Sequence, residues 1–184
     1  MKVDTGTGLL DTAHQVASPN HDARPAPGAI DLLVIHGISL PPGEFGGPHI
    51  DALFTNTLDP DHHPYFRAIQ GMRVSSHALV RRDGAIIQYV PFHRRAWHAG
   101  ESCFDNRSRC NDFSIGIELE GSDDVPYTGA QYAALAELVQ ALIQAYPALG
   151  LERIVGHSDI APGRKTDPGP AFDWAHLRAL LAVK

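Results

Sequence analysis

An almost uninterrupted apolar run, Ile-Asp-Leu-Leu-Val-Ile-His over residues 30–36, restricts the fold more than any other feature of the chain. Seven residues with little polar alternation are typical of a strand that is buried on both faces of a sheet. His36 stands at the end of this run. In sheets covered by helices, the carboxyl ends of strands often open onto a functional site. The run therefore predicts a central strand that delivers a candidate functional histidine.

The remaining elements are inferred from hydrophobic spacing and turn residues. They are a hairpin over residues 76–90 with a two-residue turn at Asp83-Gly84, helices over 49–58, 128–146 and 172–181, and strands over 113–119 and 153–156. Residues 1–29 predict little regular structure, and the Pro- and Gly-rich segment 39–66 predicts one wall of a cleft, since long loops in compact domains are usually functional. With no internal repeat and no second boundary, residues 1–184 predict a single domain.

The strand over residues 113–119 alternates in a way that isolates one carboxylate. Phe113 and the apolar residues at every second position share a face that is expected to enter the core. The other face carries Gly116 and Glu118, and an acid on a central strand requires a chemical reason. Glu120 lies beside Gly121 at the strand end and is expected to be solvated.

The densest group of chemically active side chains lies in residues 154–170, Ile-Val-Gly-His-Ser-Asp-Ile-Ala-Pro-Gly-Arg-Lys-Thr-Asp-Pro-Gly-Pro. His157 is expected to leave a strand end, and Lys165 and Asp167 follow in a loop broken by Gly and Pro. Together with His36, the candidate metal ligands are His157 and Asp167, because Zn²⁺ takes imidazole nitrogen and carboxylate oxygen. The alternative is a surface loop that is merely polar.

Charge and composition exclude some functions. The net charge of −6 argues against a general nucleic-acid-binding protein. No apolar run reaches the length of about 18 residues that a membrane span needs, and the first residues carry no secretory pattern, which predicts a cytoplasmic protein. Residues 67–109 hold eight Arg against three acids, which suits either a surface for a small anionic ligand or a set of solvated arginines. Cys103 and Cys110 are expected to be free thiols.

A long series of motifs resembles the AmpD family of zinc amidases, within the group that includes peptidoglycan recognition proteins and phage amidases. The motifs are VIH, ISLPPGEFGGP, HPYF, RVSSH, RRDG, QYVPF, RAWHAG, RCNDFSIGIELEG, GH and IAPGRKTDPGPAFDW, between about residues 32 and 180. One departure is Gly37, where a larger polar residue is expected after the first histidine. The departure suggests a looser backbone beside His36 and removes no ligand.

The resemblance implies a fold and a set of site residues. The fold is α+β (mixed α/β), a central mixed β-sheet flanked by helices, as in amidases and peptidoglycan recognition proteins. One Zn²⁺ is implied on His36, His157 and Asp167, with Glu118 as the catalytic base and Lys165 in the oxyanion role. The residues implied to contact the sugar and peptide are Arg73, Trp97, Arg109 and Arg164. His77 and His98 match no metal position of the family, and three roles stay open for them: support of the ligands, a wall for the substrate, or plain packing.

The resemblance also implies the substrate. It is an anhydro-muropeptide, cleaved at the amide between 1,6-anhydro-N-acetylmuramic acid and L-Ala during cytosolic peptidoglycan recycling, with an effect on β-lactamase induction. The protein is expected to act as a monomer on this small molecule, without nucleic acid or membrane. Two alternatives remain: a module that binds muropeptides without cutting them, and an amidase that acts on intact peptidoglycan.

Overall fold

A six-stranded sheet forms the centre of the protein in the computed structural model, which describes residues 1–25 and 29–182. Its strands in spatial order are Ile154–Gly156 (β12), Leu32–Ile38 (β5), Ser114–Glu120 (β11), Ala78–Val80 (β6), Ile86–Gln88 (β7) and His14–Gln15 (β3). The first four are parallel to one another, β7 is antiparallel to β6, and β3 is parallel to β7. The sheet is mixed, as predicted.

Helices and short strands surround this sheet. The helices are His49–Phe54 (α1), Pro64–Ala68 (α2), Gly129–Ala145 (α3), His157–Ile160 (α4) and Trp174–Ala182 (α5), with 3₁₀ turns at Cys110–Asp112 and Leu151–Arg153. Three two-stranded pairs lie outside the sheet: Val3–Asp4 (β1) with Leu9–Leu10 (β2), His21–Asp22 (β4) with Arg95–Ala96 (β8), and Cys103–Phe104 (β9) with Arg107–Ser108 (β10). No helix within the described residues combines the length and apolar character needed to cross a membrane.

The predicted central strand is confirmed, with different bounds. β5 lies between β12 and β11, and residues 32–36 are buried. The strand continues past His36 to Ile38 because β11 keeps pairing with it as far as the register partners Ile38 and Glu120. His36 therefore lies inside the strand rather than at its end.

The two faces of the sheet have different coverings. Leu33 and Ile35 of β5 face the same core as Ile115 and Ile117 of β11, and α3 and α5 cover this core. The opposite face carries His36 and Glu118, which are register partners and so point the same way. Phe113 does not share the first face as predicted. It precedes the strand and packs on the other side of the sheet with Leu32 and Val34.

The predicted capping box begins α3. Thr128 Oγ1 accepts a hydrogen bond from the backbone N–H of Gln131, and Gln131 Oε1 accepts one from the backbone N–H of Thr128, both at 3.1 Å. The Gln131 amide also donates to the carbonyls of Val80 and Glu120. The helix start is thereby fixed to the ends of β6 and β11.

Several predicted boundaries are wrong for local reasons. The hairpin turn is wider than Asp83-Gly84, since the N–H of Arg81 donates to the carbonyl of Ala85, and only Gly84 adopts positive φ. Residues 1–25 contain four short strands, because the chain meets β7 through β3 and β8 through β4. The predicted first segment also includes residues 26–28, which lie outside the described residues.

Candidate metal centre and cleft

Three acceptor atoms from distant parts of the chain meet at one point. Nδ1 of His36 lies 3.0 Å from Nδ1 of His157 and 3.2 Å from Oδ2 of Asp167, and the last two atoms are 3.0 Å apart. Both histidines are buried, and Asp167 is partly buried. The three predicted ligands therefore form a nearly equilateral triangle of ligand atoms.

Parallel pairing in the sheet brings these residues together. β5 lies between β12 and β11, so Glu118 lies beside His36 on one side, and Gly156 pairs with Ile35 on the other. His157 follows Gly156 directly and begins α4, where a loop was expected. The N–H of Ser158 then donates to the carbonyl of Asp167 at 3.0 Å, which closes the loop that carries the carboxylate.

The donor set fits a zinc ion. Nε2 of His157 lies 3.2 Å from the carbonyl oxygen of Ala99, which can only accept, so this nitrogen can donate there and leave Nδ1 to face the other two ligand atoms. Burial lowers the pKa of His36 to about 4, which keeps this imidazole neutral at neutral pH. Ligand atoms about 2.0–2.1 Å from a tetrahedral zinc would be about 3.3 Å from one another. The triangle is close to that size.

The loop that carries Asp167 is also tied to the sheet through Gly37. The hydroxyl of Tyr127 donates to the carbonyl of Pro168 at 2.9 Å, one residue beyond the carboxylate. A Cβ on Gly37 would lie 2.3 Å from that hydroxyl oxygen. Gly37 is therefore required by the close approach of Tyr127. The looser backbone suggested by the sequence has no counterpart here, because Gly37 pairs with Leu119 within β5.

Glu118 and Lys165 line the same cleft as the three candidate ligands, a cleft of about 620 Å³. Burial raises the pKa of Glu118 well above its usual range, Asp167 raises it further, and Lys165 opposes both effects. Oε2 of Glu118 is buried without a hydrogen-bond partner in the described part of the chain. The carboxylate is thus a stronger base than a surface glutamate and has a free oxygen.

The Pro- and Gly-rich segment 39–66 lines the cleft, as predicted. The segment contributes Ser39, Leu40, Pro42, Leu53, Phe54 and Tyr65 to the lining. Other lining residues outside the segment include Met72, Val74, Asp123 and Asp124. Glu120 holds this segment in place, since Oε1 accepts from the N–H of Gly46 at 2.6 Å and lies 3.4 Å from Arg81. Glu120 is 1% exposed, so the prediction of a solvated side chain is wrong. The backbone N–H groups of Gly46 and Arg82 donate to its carboxylate, and the sequence around Glu120 does not reveal these distant donors.

Among the described residues that line the cleft, none is one of the four predicted substrate contacts. Arg73 lines a neighbouring pocket, Trp97 is partly buried, Arg109 pairs with Asp112, and Arg164 donates to the carbonyls of Ala99 and Glu101. Their contact with a substrate stays a prediction. The two acids Asp123 and Asp124 were missed, because nothing in their local sequence distinguishes them from other surface acids.

The arginine-rich stretch does not form a free basic surface. Five of its eight arginines are ion-paired within the protein: Arg67, Arg81, Arg95, Arg107 and Arg109. Arg95 contacts both Asp22 and Asp112 at 2.6 Å, which fixes β4 and the 3₁₀ turn against β8. The partners lie outside residues 67–109 or at their edge, so counting charges within a window overstates the local field.

Four side chains with open roles also have defined places. His77 accepts from the N–H of Gly116 at Nδ1, and its Nε2 lies 3.0 Å from the carbonyl oxygen of Arg94 and 3.1 Å from Nη2 of Arg24. His98 lies at the cleft and contacts Nε2 of His36 at 2.9 Å. Cys103 is an exposed free thiol and Cys110 a buried one.

Comparisons with known proteins agree with this geometry. The model of the N-acetylmuramoyl-L-alanine amidase family matches residues 26–170. The 1,6-anhydro-N-acetylmuramyl-L-alanine amidase AmpD of Escherichia coli (strain K12) is 61% identical over 175 residues, which cover 95% of each chain. The AmpD protein of Salmonella typhimurium (strain SL1344) is 61% identical over 176 residues, 96% of this chain and 94% of that one.

Solved structures give the same relationship. The crystal structure of a selenomethionine AmpD derivative matches with a TM-score of 0.95 and 60% identity, covering 98% of this chain and 99% of that one. The E. coli amidase AmiD, solved in complex with anhydro-N-acetylmuramic acid-L-Ala-D-γ-Glu-L-Lys, matches with a TM-score of 0.60 and 35% identity, covering 84% of this chain and 59% of that one.

The contact between Gly37 and Tyr127 can be tested by a double-mutant cycle. Gly37→Ala is expected to destabilise the protein by about 1–3 kcal/mol, because the added methyl group overlaps the phenol oxygen. Tyr127→Phe removes that oxygen and should cost about 1 kcal/mol through the lost hydrogen bond. In the Tyr127→Phe background, Gly37→Ala should cost much less. The measurement is urea unfolding of the four proteins, and additive losses would contradict this explanation of Gly37.

Proposed function

The chain belongs to the N-acetylmuramoyl-L-alanine amidase family, and on that premise we propose that it hydrolyses the amide between 1,6-anhydro-N-acetylmuramic acid and the L-Ala that begins the stem peptide. One observation carries the proposal: the donor atoms of His36, His157 and Asp167 converge beside Glu118 in a cleft. The names of the AmpD relatives and the anhydro-sugar ligand of AmiD support the choice of bond and sugar.

The proposed cofactor is one zinc ion, held by Nδ1 of His36, Nδ1 of His157 and Oδ2 of Asp167. Zinc bound by three protein ligands lowers the pKa of a water molecule to about 7 and polarises a carbonyl oxygen. Three ligands leave a position for water or substrate, which is the arrangement of catalytic rather than structural sites. Water alone attacks an amide slowly, so hydrolysis needs both an activated water molecule and a polarised carbonyl group.

Glu118 is proposed as the general base and acid. Its unpartnered oxygen and raised pKa suit a group that accepts a proton from the attacking water and returns it to the leaving amine of L-Ala. Its position beside His36 in the sheet supports this role, because the proton acceptor must stand next to the reacting water. β11 is buried along its length and paired with β5, so the backbone that carries the carboxylate is held within the sheet.

Lys165 is proposed to meet the negative charge that develops on the carbonyl oxygen. Its ammonium is exposed at the cleft, and its charge acts on Glu118. Arg73, Trp97, Arg109 and Arg164 are proposed to contact the sugar and peptide. Arg73, Trp97 and Arg164 are each adjacent in sequence to a residue that lines the cleft, which supports this role. Those lining residues are Met72, His98 and Lys165, respectively. The place of Arg109 rests on the motif resemblance alone.

The proposed function also concerns the assembly state and the cellular location of the protein. Residues 1–184 are proposed to form one domain that acts as a monomer on a small-molecule substrate, without nucleic acid or membrane. We place it in the cytoplasm, in the recycling of peptidoglycan fragments, with an effect on β-lactamase induction through removal of the muropeptide. A module that only binds muropeptides, or an amidase of intact wall, would use the same fold. The complete set of ligands and the base favours an enzyme over the first.

Replacing Glu118 separates chemistry from binding. Glu118→Gln keeps the shape of the side chain but cannot accept the proton, so kcat should fall by about 10²-fold or more while zinc content and substrate affinity are retained. Steady-state kinetics with metal analysis would measure this. Glu137→Gln, an exposed change on α3, is the matched control and should leave kcat unchanged. If Glu120→Gln showed the large loss in kcat and Glu118→Gln did not, the wrong carboxylate would have been assigned.

The choice of sugar is tested with matched muropeptides that differ only at the muramic acid end. We expect a higher kcat/KM for the 1,6-anhydro form than for the reducing form, with free L-Ala-terminated peptide as product by mass spectrometry. Equal rates on both forms, or faster release from intact peptidoglycan, would contradict the recycling assignment and leave the amidase chemistry standing. Binding without any release of peptide would support the recognition module instead.

A further inference from the structure

A short relay of side chains connects His36 to a backbone carbonyl on the side away from the candidate metal. Nε2 of His36 lies 2.9 Å from Nδ1 of His98. Nε2 of His98 lies 3.1 Å from Oγ of Ser114, and that Oγ lies 2.6 Å from the carbonyl oxygen of Cys110. Each contact is within hydrogen-bond distance, so each needs one donor hydrogen on one partner and one acceptor lone pair on the other.

The end of the relay decides where each proton lies. The carbonyl of Cys110 can only accept, and a serine hydroxyl has a single proton, so Ser114 donates to Cys110 and has only lone pairs left for His98. His98 must then donate from Nε2, and its neutral ring has a bare Nδ1. That bare nitrogen accepts from Nε2–H of His36. With the one proton of the neutral His36 ring at Nε2, Nδ1 presents a lone pair to the triangle of ligand atoms, where Oδ2 of Asp167, 3.2 Å away, is the competing acceptor.

His157 makes the corresponding contact with the adjacent residue. Its Nε2 lies 3.2 Å from the carbonyl oxygen of Ala99, so residues 98 and 99 together contact Nε2 of both histidines. The side-chain oxygen of Asn111 accepts from the backbone N–H groups of His98 and Ala99 at 3.2 and 2.8 Å. Arg164 adds a second donor to the carbonyl of Ala99 at 2.6 Å. The dipeptide is thus held from three directions.

Gly116 provides the space that the His98 ring occupies. A Cβ at position 116 would lie 2.4 Å from Cγ of His98 and 2.5 Å from its Nδ1. A glycine on a central strand loses packing and conformational entropy, so its presence two residues before Glu118 needs a local reason. The approach of the His98 ring to β11 supplies one.

We propose that His98, oriented by Ser114, is a positioning residue that holds His36 in the Nε2–H tautomer and so presents Nδ1 to the metal. The inference rests on the zinc site of the proposed function. Partners that fix the tautomer of a ligating histidine contribute about 10–100-fold to metal affinity or activity. His77 is not part of the relay, because its Nδ1 is occupied by the N–H of Gly116.

Two substitutions of similar shape isolate the hydrogen bond from packing. Asn and Leu both branch at Cγ and are both smaller than His, but only Asn offers an acceptor where Nδ1 of His98 stands. His98→Leu is expected to weaken zinc binding by about 10–100-fold in competition with a chelator. His98→Asn should restore affinity to within about threefold of wild type. Equal losses in the two variants would overturn the proposal and indicate packing.

Removing the other end of the relay gives an independent measurement. Ser114→Ala deletes the acceptor for Nε2–H of His98, whereas Ser102→Ala removes a buried serine whose hydroxyl accepts from the N–H of Cys110 and does not contact His98. Only Ser114→Ala should weaken zinc binding. Melting temperatures identify any variant that has failed to fold.

The tautomer itself is read in the metal-free wild type by long-range ¹H–¹⁵N correlation of the His36 ring. A proton on Nε2 is expected, and a proton on Nδ1 would overturn the relay. This readout needs neither zinc nor substrate. A wild type that bound no zinc, or bound zinc and cut no muropeptide, would contradict the proposed function, while the ring signals would still decide the relay.

Discussion

The parallel pairing of three strands is the constraint on which the site depends. β5 lies between β12 and β11, and because the three strands are parallel, their carboxyl ends point in the same direction. The register fixes Glu118 beside His36, while the end of β12 delivers His157. One face of these strands is covered by α3 and α5, and the other opens into the cleft. A slip of one residue in β11 would turn Glu118 into the core and remove its carboxylate from beside the candidate ligands.

The second organising feature is the direction of lone pairs around the candidate metal. Nε2 of each histidine contacts a partner on the side away from Asp167, and Nδ1 of each ring faces the Asp167 carboxylate. Converging acceptors in a buried place repel one another unless a cation lies between them. The surrounding glycines fit this arrangement, since Gly37 makes room for Tyr127 and Gly116 for His98. The site is therefore supported by residues that would contact neither metal nor substrate.

The features that depend on side-chain chemistry and hydrophobic periodicity could be predicted from the sequence. The buried run before His36, the alternation around Glu118 and the capping box of α3 each follow from local rules, and the fold matches that of the AmpD relatives. The environment of a side chain could not be predicted where it depends on residues that pack against it from a distant segment of the chain. Glu120 is buried because residues 46 and 81–82 bring donors to it, and the arginines are neutralised by distant acids. The reason for Gly37 lies 90 positions away in Tyr127 (127 − 37), beyond the reach of any local pattern.

Metal stoichiometry after equilibrium dialysis tests whether His36, His157 and Asp167 hold one zinc ion. The wild type and His62→Ala, a change to an exposed histidine outside the site, should each retain one zinc per chain. His36→Ala, His157→Ala and Asp167→Ala should each lose it while remaining folded by circular dichroism, since two protein ligands do not hold zinc at that stoichiometry. One zinc per chain in any of these three variants, or none in the wild type, would rule out a zinc site on these three ligands.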